Sequence, residues 1–112
     1  MVCTTADNLI ISTNIKIAKT FFTRFKGLML RKALSPGEAL LLKDCPAIHC
    51  CFMRFDIDVV YLSEDYTVLS KETVKPWRIG KNVKGAQHVL EMDAGAARKI
   101  ELGSKLTFKE FN

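Results

Sequence analysis

The sequence predicts a mainly β domain of the α+β class, a single antiparallel barrel or sandwich with two short helices. Three observations predict it: many apolar segments of strand length, turn residues between them at hairpin-like spacing, and only two segments of helical period. So few helical segments do not fit alternating βαβ units. One domain over residues 1–112 is expected, since a chain of this length buries most of its apolar side chains without cross-links.

The predicted strands are short runs of apolar, β-branched or alternating residues. In chain order they are 9–11, 15–17, 39–42, 57–62, 67–70, 86–92 and 106–111. Turn-forming residues separate several of these strands, at 35–38, at 63–66 and at Gly103.

Two segments carry helical signals. The second runs over 93–99 and begins with Asp93 as its cap. The first has Thr20 as N-cap, Gly27 near its C-terminal end, and apolar residues at helical spacing: Phe21, Phe22, Phe25, Leu28 and Met29. We expect its aromatic face to pack against a sheet.

Charge and composition limit the classes of partner and the cellular locations that we expect for this chain. The formal net charge of +5 favours anionic molecules, although it is equally the charge of an ordinary soluble surface. There is no run of about 18 apolar residues, so no membrane span is predicted. The first residues lack the basic start and apolar stretch of a secretion signal, so a cytoplasmic location is expected.

The four cysteines are expected to be reduced and free of metal. Cys50 and Cys51 are adjacent, which makes a bridge between them awkward, and a core of this size needs no disulfide. The cluster of Cys45, His49, Cys50 and Cys51 lacks the paired spacing of structural zinc ligands. His49 with Cys51 could act as base and nucleophile, but no third group is evident to orient them. No cofactor is predicted.

Asp58 is the first candidate for a functional residue. It lies within the apolar run 57–62, where a carboxylate costs several kcal/mol unless it is paired or hydrogen-bonded. Arg54, four residues earlier along an extended chain, would be roughly 13 Å away. The partner is therefore expected among Arg24, Arg31, the Trp77 indole or backbone amides.

Two interpretations of Asp58 remain open. It is either a structural carboxylate that ties a strand to a loop, or the acid of a hydrolase or isomerase in which His49 is the base. Asp56 would lie roughly 6.5 Å from Asp58 on a regular strand, a separation compatible with paired-carboxylate hydrolysis.

A second candidate site consists of cations at segment ends and in loops. Arginines that converge on a cleft bind carboxylate or phosphate with two hydrogen bonds, and an adjacent indole can stack on a ring or sugar face. No RNP-like or OB-type signature is present, so nucleic acid is not the predicted partner. The predicted ligand-binding residues are Arg24, Arg31, Arg54, Trp77 and Arg78.

The order of these motifs resembles a known family. The motifs are Arg24-x-x-Gly27-Leu28-Met29-x-Arg31, then Ile48-His49-x-x-x-Met53-Arg54-x-x-Ile57-Asp58-Val59-Val60-Tyr61-Leu62, then Pro76, then Val89-Leu90-Glu91 with Gly95 and Gly103. Over about residues 18–106 the chain is similar to family 192 of the domain-of-unknown-function series.

The resemblance implies a small, mostly antiparallel β-barrel or jelly-roll-like domain and no established activity. Asp56 stands where the family commonly has proline or another non-acidic residue, which weakens the paired-carboxylate hypothesis. Cys50 and Cys51 replace threonine and an apolar residue, which weakens thiol chemistry and metal binding.

The leading functional hypothesis is a non-catalytic module that binds a small anionic or sugar-like molecule. The alternatives are the hydrolase or isomerase that uses Asp58 and His49, and a structural or protein-interaction domain. An apolar cleft with convergent polar groups would favour the first two, and a flat surface the third.

Overall fold

The computed structural model describes residues 2–5, 10–18, 37–44, 55–76 and 80–109, and these residues form two β-sheets. The five-stranded sheet has the order β3-β4-β7-β5-β6, and the three-stranded sheet has the order β2-β1-β8. The mainly β prediction is therefore confirmed. Strands β1 to β8 span, in chain order, Val2–Thr5, Ile10–Ser12, Asn14–Ala18, Glu38–Leu42, Ile57–Leu62, Val68–Val74, His88–Asp93 and Leu106–Lys109.

The larger sheet is mixed, which corrects the antiparallel prediction. Strands β4, β7, β5 and β6 pair antiparallel in that order, but β3 and β4 pair parallel, with Ile15 opposite Ala39. Parallel neighbours need a crossover of a dozen or more residues. Residues 19–36 provide a connection of that length, whereas the antiparallel prediction rested on the hairpin-like spacing of most strands.

Strand β5 is buried on both faces, as its continuous apolar sequence indicates. Its side chains alternate between two apolar clusters, one on each face of the sheet. The first core contains Ile15, Ala39, Leu41, Val60, Leu62, Val68, Leu90, Met92, Ala97, Ile100 and Leu106. The second core contains Leu42, Ile57, Val59, Tyr61, Val74 and Val89.

The two sheets meet at one corner through a bridge between Thr67 and Lys105. Next to it, the Val68 amide donates to the Ser104 carbonyl at 2.8 Å, and the Leu106 amide donates to the Tyr66 carbonyl at 3.0 Å. Because only this short stretch pairs β6 with the start of β8, the described strands form two open sheets and not the closed barrel that was one of the predicted architectures.

The second predicted helix, over 93–99, is wrong. The carbonyls of Asp93, Gly95 and Ala97 each accept a backbone hydrogen bond from the residue three positions later, which produces consecutive turns. Gly95 has a φ of +89°, a left-handed conformation that a right-handed helix does not tolerate. The first predicted helix, with Gly27, lies outside the described residues.

Gly103→Ala tests the turn before β8. Gly103 has a φ of +85° and open space where a Cβ would be added, so the substitution strains only the backbone. We expect urea-induced unfolding to show a loss of about 1 kcal/mol. Gly103→Asn is the control and should lose less, because asparagine tolerates the left-handed region better than alanine. Equal stability of the alanine variant and the native chain would contradict this account.

Candidate functional site

The Asp58 carboxylate is buried and fully hydrogen-bonded. Its side chain is 6% exposed and faces the first core from β5. Oδ1 accepts the Thr73 hydroxyl at 2.7 Å, and Oδ2 accepts the backbone amides of Gly95 at 2.9 Å and Ala97 at 3.0 Å. Of the predicted partners, the structure thus provides backbone amides, and a hydroxyl group joins them.

We call the consecutive turns after β7 the turn segment (93–100). Lys71 binds the C-terminal part of this segment, as Asp58 binds its N-terminal part. Its Nζ donates to the carbonyls of Ile100 at 2.6 Å, Ala97 at 3.0 Å and Arg98 at 3.4 Å. The Asp58 carboxylate therefore accepts from amide groups of the segment, and the Lys71 ammonium group donates to its last carbonyls. Charges of the same signs stabilise the two ends of a helix.

A cavity of about 360 Å³ lies beside these residues, and three of its four charged side chains, those of Asp58, Lys71 and Glu72 but not Arg98, make hydrogen bonds shown within the described residues. Asp58 and Lys71 hold the turn segment. Glu72 accepts the Tyr61 hydroxyl at 2.6 Å and the Lys81 amide at 2.7 Å through the same oxygen. This arrangement supports the structural interpretation of Asp58. His49, the proposed base, lies outside the described residues.

Glu91 is a second buried carboxyl group, and the residue analysis did not single it out. It lies in β7 between Leu40 of β4 and Val59 of β5, and it is 3% exposed. Burial raises the pKa of Glu91 to about 8. The argument used for Asp58, a carboxylate inside an apolar strand, could have identified Glu91 from the run 88–92.

A larger groove of about 480 Å³ opens where the end of β4 faces the start of β8. Its apolar lining comes from both sheets. Two lysines also line it: Lys43, which follows β4 of the larger sheet, and Lys105, which precedes β8 of the smaller sheet. We call it the Tyr66 groove. It is lined by Ile17, Leu41, Lys43, Tyr66, Lys105, Leu106, Thr107 and Phe108.

The Tyr66 ring is one wall of this groove, and two neighbouring rings hold it in place. It stacks on His88, with centroids 4.7 Å apart and an interplanar angle of 24°. The edge of a third ring, Phe108, lies 5.1 Å away at 62°. The backbone of Tyr66 is also held, since its amide donates to the Ser63 carbonyl at 3.0 Å and its carbonyl accepts from Leu106. Sequence analysis placed Tyr66 in a turn without assigning it to a site.

The charge around the groove is predominantly but not wholly positive. Asp65, in the turn before Tyr66, accepts hydrogen bonds from the hydroxyls of Ser63 and Thr67, and these lower the pKa of the Asp65 carboxyl. Lys105 attracts the same carboxylate and lowers its pKa further. Asp65 is therefore ionised at neutral pH and offsets part of the Lys105 charge.

Most of the predicted site residues lie outside the described part of the chain. Within the described ranges, no group of three or more histidine, cysteine or acidic side chains could hold a metal ion. No helix in the same ranges is long and apolar enough to span a membrane. The predicted residues outside the described part of the chain are Arg24, Arg31, His49, Arg54, Trp77 and Arg78, with Cys45, Cys50 and Cys51.

Comparison with known sequences identifies a family. The model of domain-of-unknown-function family 192, described as an uncharacterized ACR, matches residues 2–108. A UPF0127 protein of Pyrococcus horikoshii is 32% identical over 114 residues, covering 95% of this chain and 96% of that protein. One from Thermococcus kodakarensis is 36% identical over 92 residues, covering 79% of this chain and 59% of that protein. The chain thus spans about three fifths of the latter relative.

Two crystal structures share the fold. A Novosphingobium aromaticivorans protein of unknown function superposes with a TM-score of 0.78 at 18% identity, covering 96% of this chain and 84% of that one. A Sinorhizobium meliloti protein, whose name proposes a transcription regulator, has a TM-score of 0.76 at 19% identity, covering 95% and 89%. At these identities the likeness concerns the fold alone.

Asp58→Ala tests the structural interpretation. The substitution leaves the buried amide of Ala97 and two partly buried donors, the Gly95 amide and the Thr73 hydroxyl, without their acceptor, so we expect a loss of roughly 3–5 kcal/mol in denaturant unfolding. Thr73→Val removes one of the three donors and is the control, with an expected loss of about 1 kcal/mol. If Asp58→Ala costs no more than the control, the carboxylate does not hold the fold and an acid–base role gains support.

Glu91→Gln tests the buried carboxyl group through its pH dependence. The folded-state pKa of about 8 lies above the ordinary 4.5, so this group's contribution to stability is fully present below pH 4.5 and is lost as the pH rises through 8. The variant should therefore be more stable than the native chain near pH 9, by on the order of a few kcal/mol.

Unfolding free energies measured from pH 4 to 9 check this, with the exposed Glu101→Gln as control. The pH profile of Glu91→Gln should be flatter than the native profile, and that of the control should not. Parallel profiles for all three proteins would contradict the raised pKa.

Proposed function

The chain belongs to domain-of-unknown-function family 192, a family with no established activity, and from this premise we propose that it binds a small anionic molecule with an apolar body. The observation that carries the proposal is the Tyr66 groove, in which apolar walls are accompanied by the ammonium groups of Lys43 and Lys105. The sequence hypothesis of an anionic ligand is kept, and Lys43, Tyr66 and Lys105 are added to its proposed binding residues.

Size and lining support a ligand site. Small-molecule pockets commonly enclose about 300–1,000 Å³ and combine mostly apolar walls with a few polar groups that orient the ligand. The Tyr66 groove has about 480 Å³, with Leu41, Leu106 and Phe108 among its apolar lining. Its aromatic ring at Tyr66 is already packed in place, which lowers the entropic cost of binding.

The lysines favour an anion over a neutral sugar. Lys43 follows β4 and Lys105 precedes β8, so the two ammonium groups approach the groove from different sheets. The net charge of +5 adds a long-range attraction for anions. Asp65 weakens this field near Lys105, so we expect modest affinity and a dependence on salt.

The arginines and Trp77 remain proposed contributors to ligand binding. The hydrolase or isomerase alternative has less support, because both oxygens of Asp58 already accept hydrogen bonds. The reduced state of the thiols and the cytoplasmic location remain predictions.

For the fold, we propose that the sheets form one jelly-roll-like sandwich. The bridge between Thr67 and Lys105 joins them at one corner, and Thr13 alone separates β2 from β3 at another.

Four probes test the proposal: phenyl phosphate, benzoate, benzyl alcohol and inorganic phosphate, each titrated into the full chain and followed by amide NMR shifts. The two aromatic anions should give saturable shifts at Leu41, Lys43, Tyr66 and Leu106. Benzyl alcohol lacks the charge and inorganic phosphate lacks the ring, so each should bind more weakly.

Lys105→Met should weaken phenyl phosphate binding about fivefold, since an exposed charge contact is worth up to about 1 kcal/mol. Lys99→Met removes the same charge from an exposed position outside the groove and is the control. Absence of saturable shifts at the groove, or equal weakening by both variants, would overturn the proposal.

A further inference from the structure

His88 contacts Tyr66, which lines the Tyr66 groove, and Asp44, the chain neighbour of the lining residue Lys43, without lining the groove itself. It is the first residue of β7, pairs with Leu62 of β5, and is 4% exposed. Its imidazole stacks on the Tyr66 ring with centroids 4.7 Å apart. Its Nδ1 accepts the Asp44 backbone amide at 3.0 Å.

The hydrogen bond to Asp44 fixes the chain next to Lys43. Asp44 has a φ of +57°, a left-handed conformation that few residues other than glycine adopt without support. Its side chain accepts from the Gln87 amide group at 2.7 Å, so two neighbouring residues of the β7 end hold it. The conformation of this short turn decides where the Lys43 side chain leaves the end of β4.

The stacking contact fixes the opposite wall. Tyr66 also has a left-handed backbone, with a φ of +67°, and its ring lies between His88 and the edge of Phe108. Offset stacking restrains the tilt of a ring as well as its position. The ring face that remains for a ligand is therefore set by His88 and Phe108 together.

We propose that His88 is a positioning residue for ligand binding, which sets the spacing between the cationic wall at Lys43 and the aromatic wall at Tyr66. The inference rests on the proposed function of the groove. As an acceptor, Nδ1 carries no proton, so the hydrogen bond assigns the neutral ring with its proton on Nε2. A buried neutral imidazole can serve both walls at once because it offers an acceptor atom and a flat face.

Two substitutions separate the two contacts. His88→Asn keeps an acceptor oxygen near the position of Nδ1 but has no ring, so the aromatic wall loosens and the Lys43 wall is retained. His88→Phe keeps a ring but has no acceptor, so the Lys43 wall loosens and the aromatic wall is retained. The expected signatures are opposite, which a general loss of stability cannot produce.

The readout is the ratio of phenyl phosphate to benzyl alcohol affinity, measured by NMR titration well below the unfolding temperature. His88→Phe should lower this ratio about threefold or more, since it loses mainly the anionic contact. His88→Asn should keep or raise the ratio while weakening both probes. Val74→Ala, a truncation in the second core away from the groove, is the control and should change neither affinity.

Unchanged affinities in both His88 variants, with phenyl phosphate still bound to the native groove, would overturn the positioning role alone. Failure of the native chain to bind phenyl phosphate at the groove would instead overturn the proposed function.

If the variants do not fold, the positioning role of His88 can be tested on the native protein. Saturation with phenyl phosphate should slow hydrogen exchange of the Asp44 amide and shift the His88 ring nitrogens, because binding and positioning are reciprocally coupled. No change at either position with a filled groove would refute the inference.

Discussion

The carboxylate of Asp58 organises the part of the fold that joins the two sheets. By accepting the amides of Gly95 and Ala97 it ends β7 in a series of turns and places Ala97 and Ile100 in the first core. The chain that leaves these turns then reaches the bridge at Thr67 and continues as β8. A buried charge can do this because several fixed donors compensate its desolvation, and Lys71 binds the carbonyls of the same segment.

The two buried carboxyl groups lie in different surroundings. Asp58 accepts three hydrogen bonds, from the Thr73 hydroxyl and from the amides of Gly95 and Ala97. For Glu91, flanked by Leu40 and Val59 on the neighbouring strands, desolvation prevails and raises the pKa to about 8. The two carboxyl groups also lie on opposite faces of the sheet: the turn segment covers the face of Asp58, whereas Glu91 lies on the face of its neighbour Val59 in the second core.

The Tyr66 groove lies at the corner of the Thr67–Lys105 bridge, at the other end of β5 and β6 from Asp58. Within the described residues, β8 makes backbone hydrogen bonds to the larger sheet only next to this bridge, and the groove opens between the end of β4 and the start of β8. His88 then links the Asp44 turn to the Tyr66 ring across this space. The structural role of Asp58 and the binding role proposed for the groove thus fall at opposite ends of the same strands, in a family described as uncharacterized.

Local patterns of the chain predict the mainly β class, most strand positions, the turns at 63–66 and Gly103, and the burial of Asp58, because alternation, turn residues and apolar runs are local signals. Contacts between distant segments set the parallel pairing of β3 with β4, the addition of β1, and the turns found in place of a helix over 93–99. It also decided the candidate site, since Lys43, Tyr66 and Lys105 are brought together by pairing between strands far apart in the chain. Such pairing depends on the sum of many non-local contacts, which no local period encodes.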